Sequence, residues 1–134
     1  MATKDQERAK KAFESTKTVL EWPENRQSDY CSLVLGLPAL IHDCGLCQTV
    51  AFLRAKKKDH HLRVLAGLCE ALLGEPENAD YDRLGAAVRE ADLNRYQHLA
   101  MESIRYCEYL KRYAEAFLKS ADAAAESKKE SVAP

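Results

Sequence analysis

Cys44-Gly45-Leu46-Cys47, with His42 two residues ahead of it, is the spacing in this 134-residue sequence that most resembles a reactive site. A C-x-x-C at a helix start suits thiol–disulfide exchange, because the helix dipole favours the thiolate. The same spacing would supply half of a zinc site. Zinc needs four ligands, however, and the chain offers neither a second C-x-x-C nor a paired H-x-x-x-H. The redox motif also belongs after a strand in a βαβ unit, which this sequence lacks. Packed cysteines at a helix start are the reading preferred here, and a small thiol-redox or metal-binding protein using Cys44 and Cys47 is the alternative. His60 and His61 are adjacent, so on a helix their side chains diverge by about 100° and chelate one metal poorly. A basic contact or a solvated helix start suits them better. The acidic pairs Glu75/Glu77 and Asp80/Asp82 lie in an expected loop with no acid–base partner pattern. The glycines are scattered, so no phosphate-cradling loop is present. No residue is assigned a catalytic role, no metal or cofactor is expected, and nothing points to a small-molecule substrate.

Charge is the stronger signal. Between Arg54 and Arg63, the cations Arg54, Lys56, Lys57, Lys58 and Arg63 face one carboxylate, Asp59. A block of this density attracts phosphate by releasing counterions, although many charge runs are only solvated surface. The first helix adds Lys4, Arg8, Lys10, Lys11 and Lys17, and the last adds Arg105, Lys111, Arg112 and Lys119. Glu70 to Asp92 is acidic by contrast, with seven carboxylates against Arg83 and Arg89. Net charge is −1, which excludes a uniform basic coat but not a local patch. An acidic start to the helix after Gly74 disfavours a helix-turn-helix DNA reader.

The elements that must position these groups are helical. Ala9, Ala12, Phe13, Thr16, Val19 and Leu20 recur at three- and four-residue steps behind a Thr3 or Asp5 cap, and Pro23 ends that helix. Glu24 to Ser28 reads as a polar loop, with Ser28 or Asp29 capping the next helix. Pro38 removes a backbone donor and predicts a restart there, in a segment ending at Asp43. Cys44 and Gly45 mark a turn before a short helix from Leu46 to Ala55. Residues 54–61 read as a basic connector. The next helix carries Leu62, Leu65, Leu68, Cys69, Leu72 and Leu73, and Gly74 and Pro76 stop it. An acidic loop, 75–82, precedes a helix with Leu84, Ala87, Val88 and Ala91. Asp92 then caps the longest helix, striped with Tyr96, Leu99, Ser103, Tyr106, Leu110, Tyr113 and Phe117. The expectation is an all-α, compact bundle of about five to seven helices with a long C-terminal helix. It forms one domain over 1–120, and 121–134 is a flexible Ala/Lys/Glu/Ser tail.

Five cysteines, an odd number set mostly in apolar helical patterns, fit free buried thiols in a reducing compartment. The charged N-terminus has no apolar h-region, and the run Leu33–Ile41 is too short to span a bilayer. A cytoplasmic protein with no membrane partner is expected.

Two blocks carry a family resemblance. The first holds Leu37-Pro38, Gly45-Leu46, Gln48-Thr49 and Ala51-Phe52-Leu53. The second ends in Tyr109-Leu110-Lys111-Arg112-Tyr113-Ala114-Glu115-Ala116. Together with Asp5-Gln6-Glu7-Arg8-Ala9, they resemble the small subunit of the Cmr (type III-B) CRISPR–Cas effector complex over about residues 5 to 118. Tyr109 stands where that family often has Trp, and Cys44 where it often has Asn. The resemblance implies an all-helical, non-catalytic subunit for antiviral defence. Its partners would be other Cmr subunits, copies of itself stacked in a short filament, and the guide and target RNA whose channel it lines. Arg54, Lys56, Lys57, Lys58, Arg63, Lys111 and Arg112 are then the expected RNA-facing residues, with Arg8 and Lys11 as further candidates. Salt bridges to Glu108 or Glu115 are the competing role for Lys111 and Arg112. Tyr106, Tyr109 and Tyr113 exceed what one bundle seam buries, and are the expected subunit interface.

Overall fold

The computed structural model describes residues 2–74 and 81–118. They form six α-helices: α1 (Lys4–Leu20), α2 (Glu24–Cys44), α3 (Leu46–Lys56), α4 (Asp59–Leu73), α5 (Tyr81–Glu90) and α6 (Leu93–Phe117). The expected all-α bundle with a long last helix is present. The expected tail and most of the acidic loop lie outside the described residues. Tyr81 and Asp82, read as loop, open α5.

α6 is the axis of the fold, packing on α1, α2 and α4, while α3 and α5 pack on α4 and on each other. Its buried face is Leu99, Ser103, Tyr106, Cys107, Leu110 and Ala114. Ser103 is tolerated there because its hydroxyl donates to the Leu99 carbonyl at 2.8 Å. Thr3 begins α1 with a capping box: its hydroxyl accepts from the Gln6 N–H, and the Gln6 side chain accepts from the Thr3 N–H.

Two expectations for α2 differ from what is seen, for physical reasons. The polar stretch 24–28 is not a loop but the first turn of α2. Pro23 sits at its N-cap, and its carbonyl accepts from the Arg26 and Gln27 N–H groups at 3.0 Å each. Gln27 is polar because its side-chain amide caps α1, donating to the carbonyls of Leu20 at 3.1 Å and Trp22 at 2.9 Å. Likewise α2 does not restart at Pro38 but runs through it. A mid-helix proline costs about 3 kcal/mol. Val34, Leu37 and Ile41 flank it on one buried face, and each fully buried apolar side chain contributes about 1.5–3 kcal/mol. Packing therefore outweighs the lost bond.

Glycine is required where backbones meet. Gly45, at φ 88°, ends α2 and starts α3, and a Cβ there would lie 3.3 Å from the Tyr96 hydroxyl. Gly67, inside α4, brings that helix so close to α6 that an added Cβ would clash with the Tyr106 hydroxyl. Gly74 stops α4, as expected.

Candidate functional site

The basic connector is shorter than the sequence suggests. Helix α3 runs to Lys56 and α4 begins at Asp59, which leaves only Lys57 and Lys58 between them. So tight a joint needs a left-handed residue, and Lys57 takes that role at φ 58°. A non-glycine residue in this region costs roughly 1–2 kcal/mol. The result is three consecutive exposed lysines on a bend between two helices. None has an ion pair among the described residues. Asp59, the obvious neutraliser, is instead held by Arg26 at 2.7 Å. Lys56 leans over the ring of Phe52, at 5.7 Å.

The other members of this block behave differently. Arg54 pairs with Asp82 at 3.2 Å and lies 5.2 Å over the Tyr81 ring, so it ties α3 to α5. Arg63 is half-buried, and its Nε is out of solvent without a hydrogen-bond partner. Its charge partly offsets the desolvation that pushes the Tyr30 and Tyr106 hydroxyls well up. His60 and His61 are not a solvated pair. Their rings lie 4.2 Å apart, and His61 is buried edge-on against Phe52. Burial lowers the pKa of both, opposed at His60 by the nearby Asp29 and reinforced at His61 by the His60 ring.

On α1, Arg8 is taken up inside the fold. Its Nε and Nη2 donate to the two carboxylate oxygens of Glu102 at 2.9 and 2.5 Å. The side chains are only 11% and 21% exposed. The Arg8 hydrogen bond holds Glu102 below the usual carboxylate range, against burial, which pushes the other way. Lys11 is half-buried in the cleft beside this pair. Lys111 is half-buried and Arg112 exposed, with Arg112 3.9 Å from Glu115, so the intrahelical pairing weighed above is present but long. Of the nine expected RNA-facing cations, the structure brings Lys56, Lys57 and Lys58 together and leaves the rest on other surfaces or in ion pairs.

The expected tyrosine ridge divides. Tyr106 belongs to the core: it is 1% exposed and its hydroxyl lies 3.4 Å from Ser15 Oγ. Buried against Gly67, it cannot meet a partner. Tyr109 and Tyr113 are half-buried, and they stack in series with Phe117 at centroid distances of 6.1 and 6.2 Å. Phe13 of α1 packs edge-on to Tyr113 and Phe117 at 5.6 and 5.9 Å. Tyr109 donates to Asp5 at 2.7 Å. The outward-facing surface is therefore Tyr109, Tyr113, Phe117 and Phe13, with Phe117 50% exposed. The sequence pattern puts Phe13 and Phe117 on core stripes instead. The i, i+4, i+8 spacing of 109, 113 and 117 is the signal that they share one face.

The thiols also divide. Cys31, Cys69 and Cys107 are buried, while Cys44 is exposed and Cys47 half-buried. Burial pushes Cys31 up to about 11 and Cys107 up to about 12, which makes both poor nucleophiles. No disulfide joins any of the five. Cys44 closes α2, and the Cys47 thiol points to the Val88 carbonyl at 3.6 Å. Among the described residues, no group of three or more His, Cys, Asp or Glu side chains is placed to hold a metal ion. Nor is any helix there long and apolar enough to cross a membrane.

A six-helix α-protein bearing a lysine bend at one joint and an aromatic ladder along its last helix is the class that fold and surface define. The model of the family described as CRISPR-associated protein (Cas_Cmr5) matches residues 4–117. A curated relative, the CRISPR system Cmr subunit Cmr5 of Thermus thermophilus, is 33% identical over 118 residues, covering 88% of this chain and 98% of the relative. The crystal structure of a CRISPR-associated Cmr5 family protein from the same organism superposes with a TM-score of 0.76 at 33% identity, covering 87% of this chain and 98% of that one. The chain belongs to the Cmr5 family, the small subunits of type III-B Cmr complexes.

Proposed function

We propose that this chain is a non-catalytic subunit of a cytoplasmic, RNA-guided effector complex. In this reading it assembles with other Cmr subunits, stacks with copies of itself and lines the channel that holds the guide–target duplex. The lysine bend supplies backbone charge, while base pairing between the two RNA strands supplies sequence specificity. The aromatic ladder docks a neighbouring subunit, as exposed tyrosine and phenylalanine commonly do.

The observation that carries this reading is the bend itself. Lys56, Lys57 and Lys58 are adjacent, exposed and without a carboxylate partner among the described residues, on a chain whose net charge is −1. Lysines so placed meet phosphate with little sequence preference. The test is titration of the assembled complex, or of free protein, with RNA after reversing all three charges. Loss of three phosphate contacts should flatten the salt dependence by about 2–3 units of log–log slope. An unchanged affinity and an unchanged slope would remove the assignment. For the docking surface, Tyr113→Ala combined with Phe117→Ala should weaken incorporation into the complex while leaving the RNA salt slope of the free protein alone.

A further inference from the structure

A second cationic site lies at the other end of α4. Between α1, the last turn of α4 and the first half of α6 is a cleft of about 180 Å³, well above the roughly 10–15 Å³ that a cavity needs to hold one water. Lys4 and Lys11, two helical turns apart on α1, line one wall, and Arg95 and His98, one turn apart on α6, line the other. The Arg8–Glu102 pair joins the walls at the back. That pairing matters, because it occupies the carboxylate best placed to neutralise the cleft. Glu7 is the one other acid in the lining. Lys4, Arg8, Lys11 and Arg95 against Glu7 and Glu102 leave a formal net +2 before histidine is counted. Lys4, Lys11 and Arg95 have no ion pair among the described residues. All three line the cleft, and Lys4 and His98 lie near enough to the Glu102 carboxylate to help hold its pKa down.

We infer that this cleft is a phosphate site and holds a phosphodiester of an RNA strand. Arg95 offers a planar fork that matches two phosphate oxygens, and the lysines act as point charges beside it. The site is separate from the lysine bend. Asp59 and Leu72 stand near opposite ends of α4, about 20 Å apart at 1.5 Å per residue, so the two sites meet different stretches of backbone. The inference relies on the proposed function only for RNA as the source of the phosphodiester.

The experiment uses the full chain and four probes: inorganic phosphate, a mononucleotide, a short labelled single-stranded RNA and an acidic peptide. Phosphate added to isotope-labelled protein should shift the amide signals of Arg95, His98 and Lys11 and leave those of α3 alone. The variant Lys11→Glu/Arg95→Glu should bind RNA at least about tenfold more weakly, with a salt slope lower by roughly 1–2. If that variant fails to fold, Lys11→Gln/Arg95→Gln replaces it, with the wild-type amide shifts as the independent reading. RNA should compete with phosphate for these shifts more strongly than the mononucleotide does, which separates a strand from a free nucleotide. Equal competition by the mononucleotide would overturn RNA as the ligand. Equal competition by an acidic peptide would overturn it in favour of a protein partner's carboxylates. No shift at Arg95 or His98, or an unaltered RNA slope in the variant, would end the inference. Loss of binding only when Lys56–Lys58 are reversed would sink the cleft and keep the proposed function. Loss only in the cleft variant would keep the cleft and sink the role given to the lysine bend.

Discussion

Arg8 on α1 and Lys57 at the α3–α4 joint are both cations in basic stretches, and the sequence treats them alike. In the fold they part. Arg8 meets Glu102, a residue 94 positions away, and becomes a brace between two helices. Lys57 meets no carboxylate among the described residues and is held out to solvent by a backbone conformation that itself costs energy. The α1–α6 face thus uses charge to hold the bundle together, and the joint leaves its charge unpaired among the described residues. Charge density along a chain therefore counts cations without saying which remain available, because distant acids decide that.

Thiol chemistry offers the largest contrast between the joints and the packed face. Cys44 should react with a thiol reagent at close to its free rate. Cys31, Cys69 and Cys107 should be slowed by about a thousandfold or more, since they label only through opening of the fold. Mass spectrometry of the labelled peptides over time checks this. Rapid labelling of Cys107 would show that the α6 face is looser than its packing implies.

Next in size is Glu102→Gln. Removing one partner of a largely buried, bidentate pair should cost about 2 kcal/mol, read as a lower urea midpoint. The triple change of Lys56, Lys57 and Lys58 to Gln should cost under about 0.5 kcal/mol in the same assay. Equal losses would break the distinction between bracing and available charge. The same pair makes stability acid-sensitive. The folded-state pKa of Glu102 lies below its ordinary 4.5. Its contribution is therefore fully present above 4.5 and is lost as pH falls through the folded value. Urea midpoints measured from pH 7 downward should drop in the wild type from pH 4.5 on, and drop less in Glu102→Gln.

Smallest is Lys57→Gly. Relief of the left-handed backbone should raise stability by up to about 1 kcal/mol. The RNA salt slope should fall by roughly one contact's worth. A variant that is more stable yet binds RNA more weakly would show that the lysine is kept at this position against the preference of the backbone.

The fold is largely legible because its periodicities are strong: the stripe through Leu99, Ser103 and Leu110 is buried as its spacing requires. What is not legible depends on contacts distant in sequence. Gln27 reads as loop because its capping targets, the carbonyls of Leu20 and Trp22, become visible only when the chain folds back. Pro38 reads as a break because helix propensity is local and the burial that overrides it is not. For the site, the lysine cluster is plain in sequence, but Arg95 and His98 stand in no charge run. They acquire meaning only beside Lys4 and Lys11 of a helix more than 80 residues away. Tyr106 reads as partner surface because nothing local shows that Gly67 opens a slot for its ring.

The two-residue joint has a kinetic and entropic consequence. A flexible loop that grips a strand must first give up its own backbone freedom, at about 1–2 kcal/mol for each residue it fixes. Lys57 and Lys58 are anchored by a helix on either side, so that ordering is complete before any RNA arrives. Only side-chain rotamers remain to be fixed. If the proposed RNA contact holds, such a mount would favour repeated, rapid engagement and release along a duplex over a slow fold-upon-contact grip.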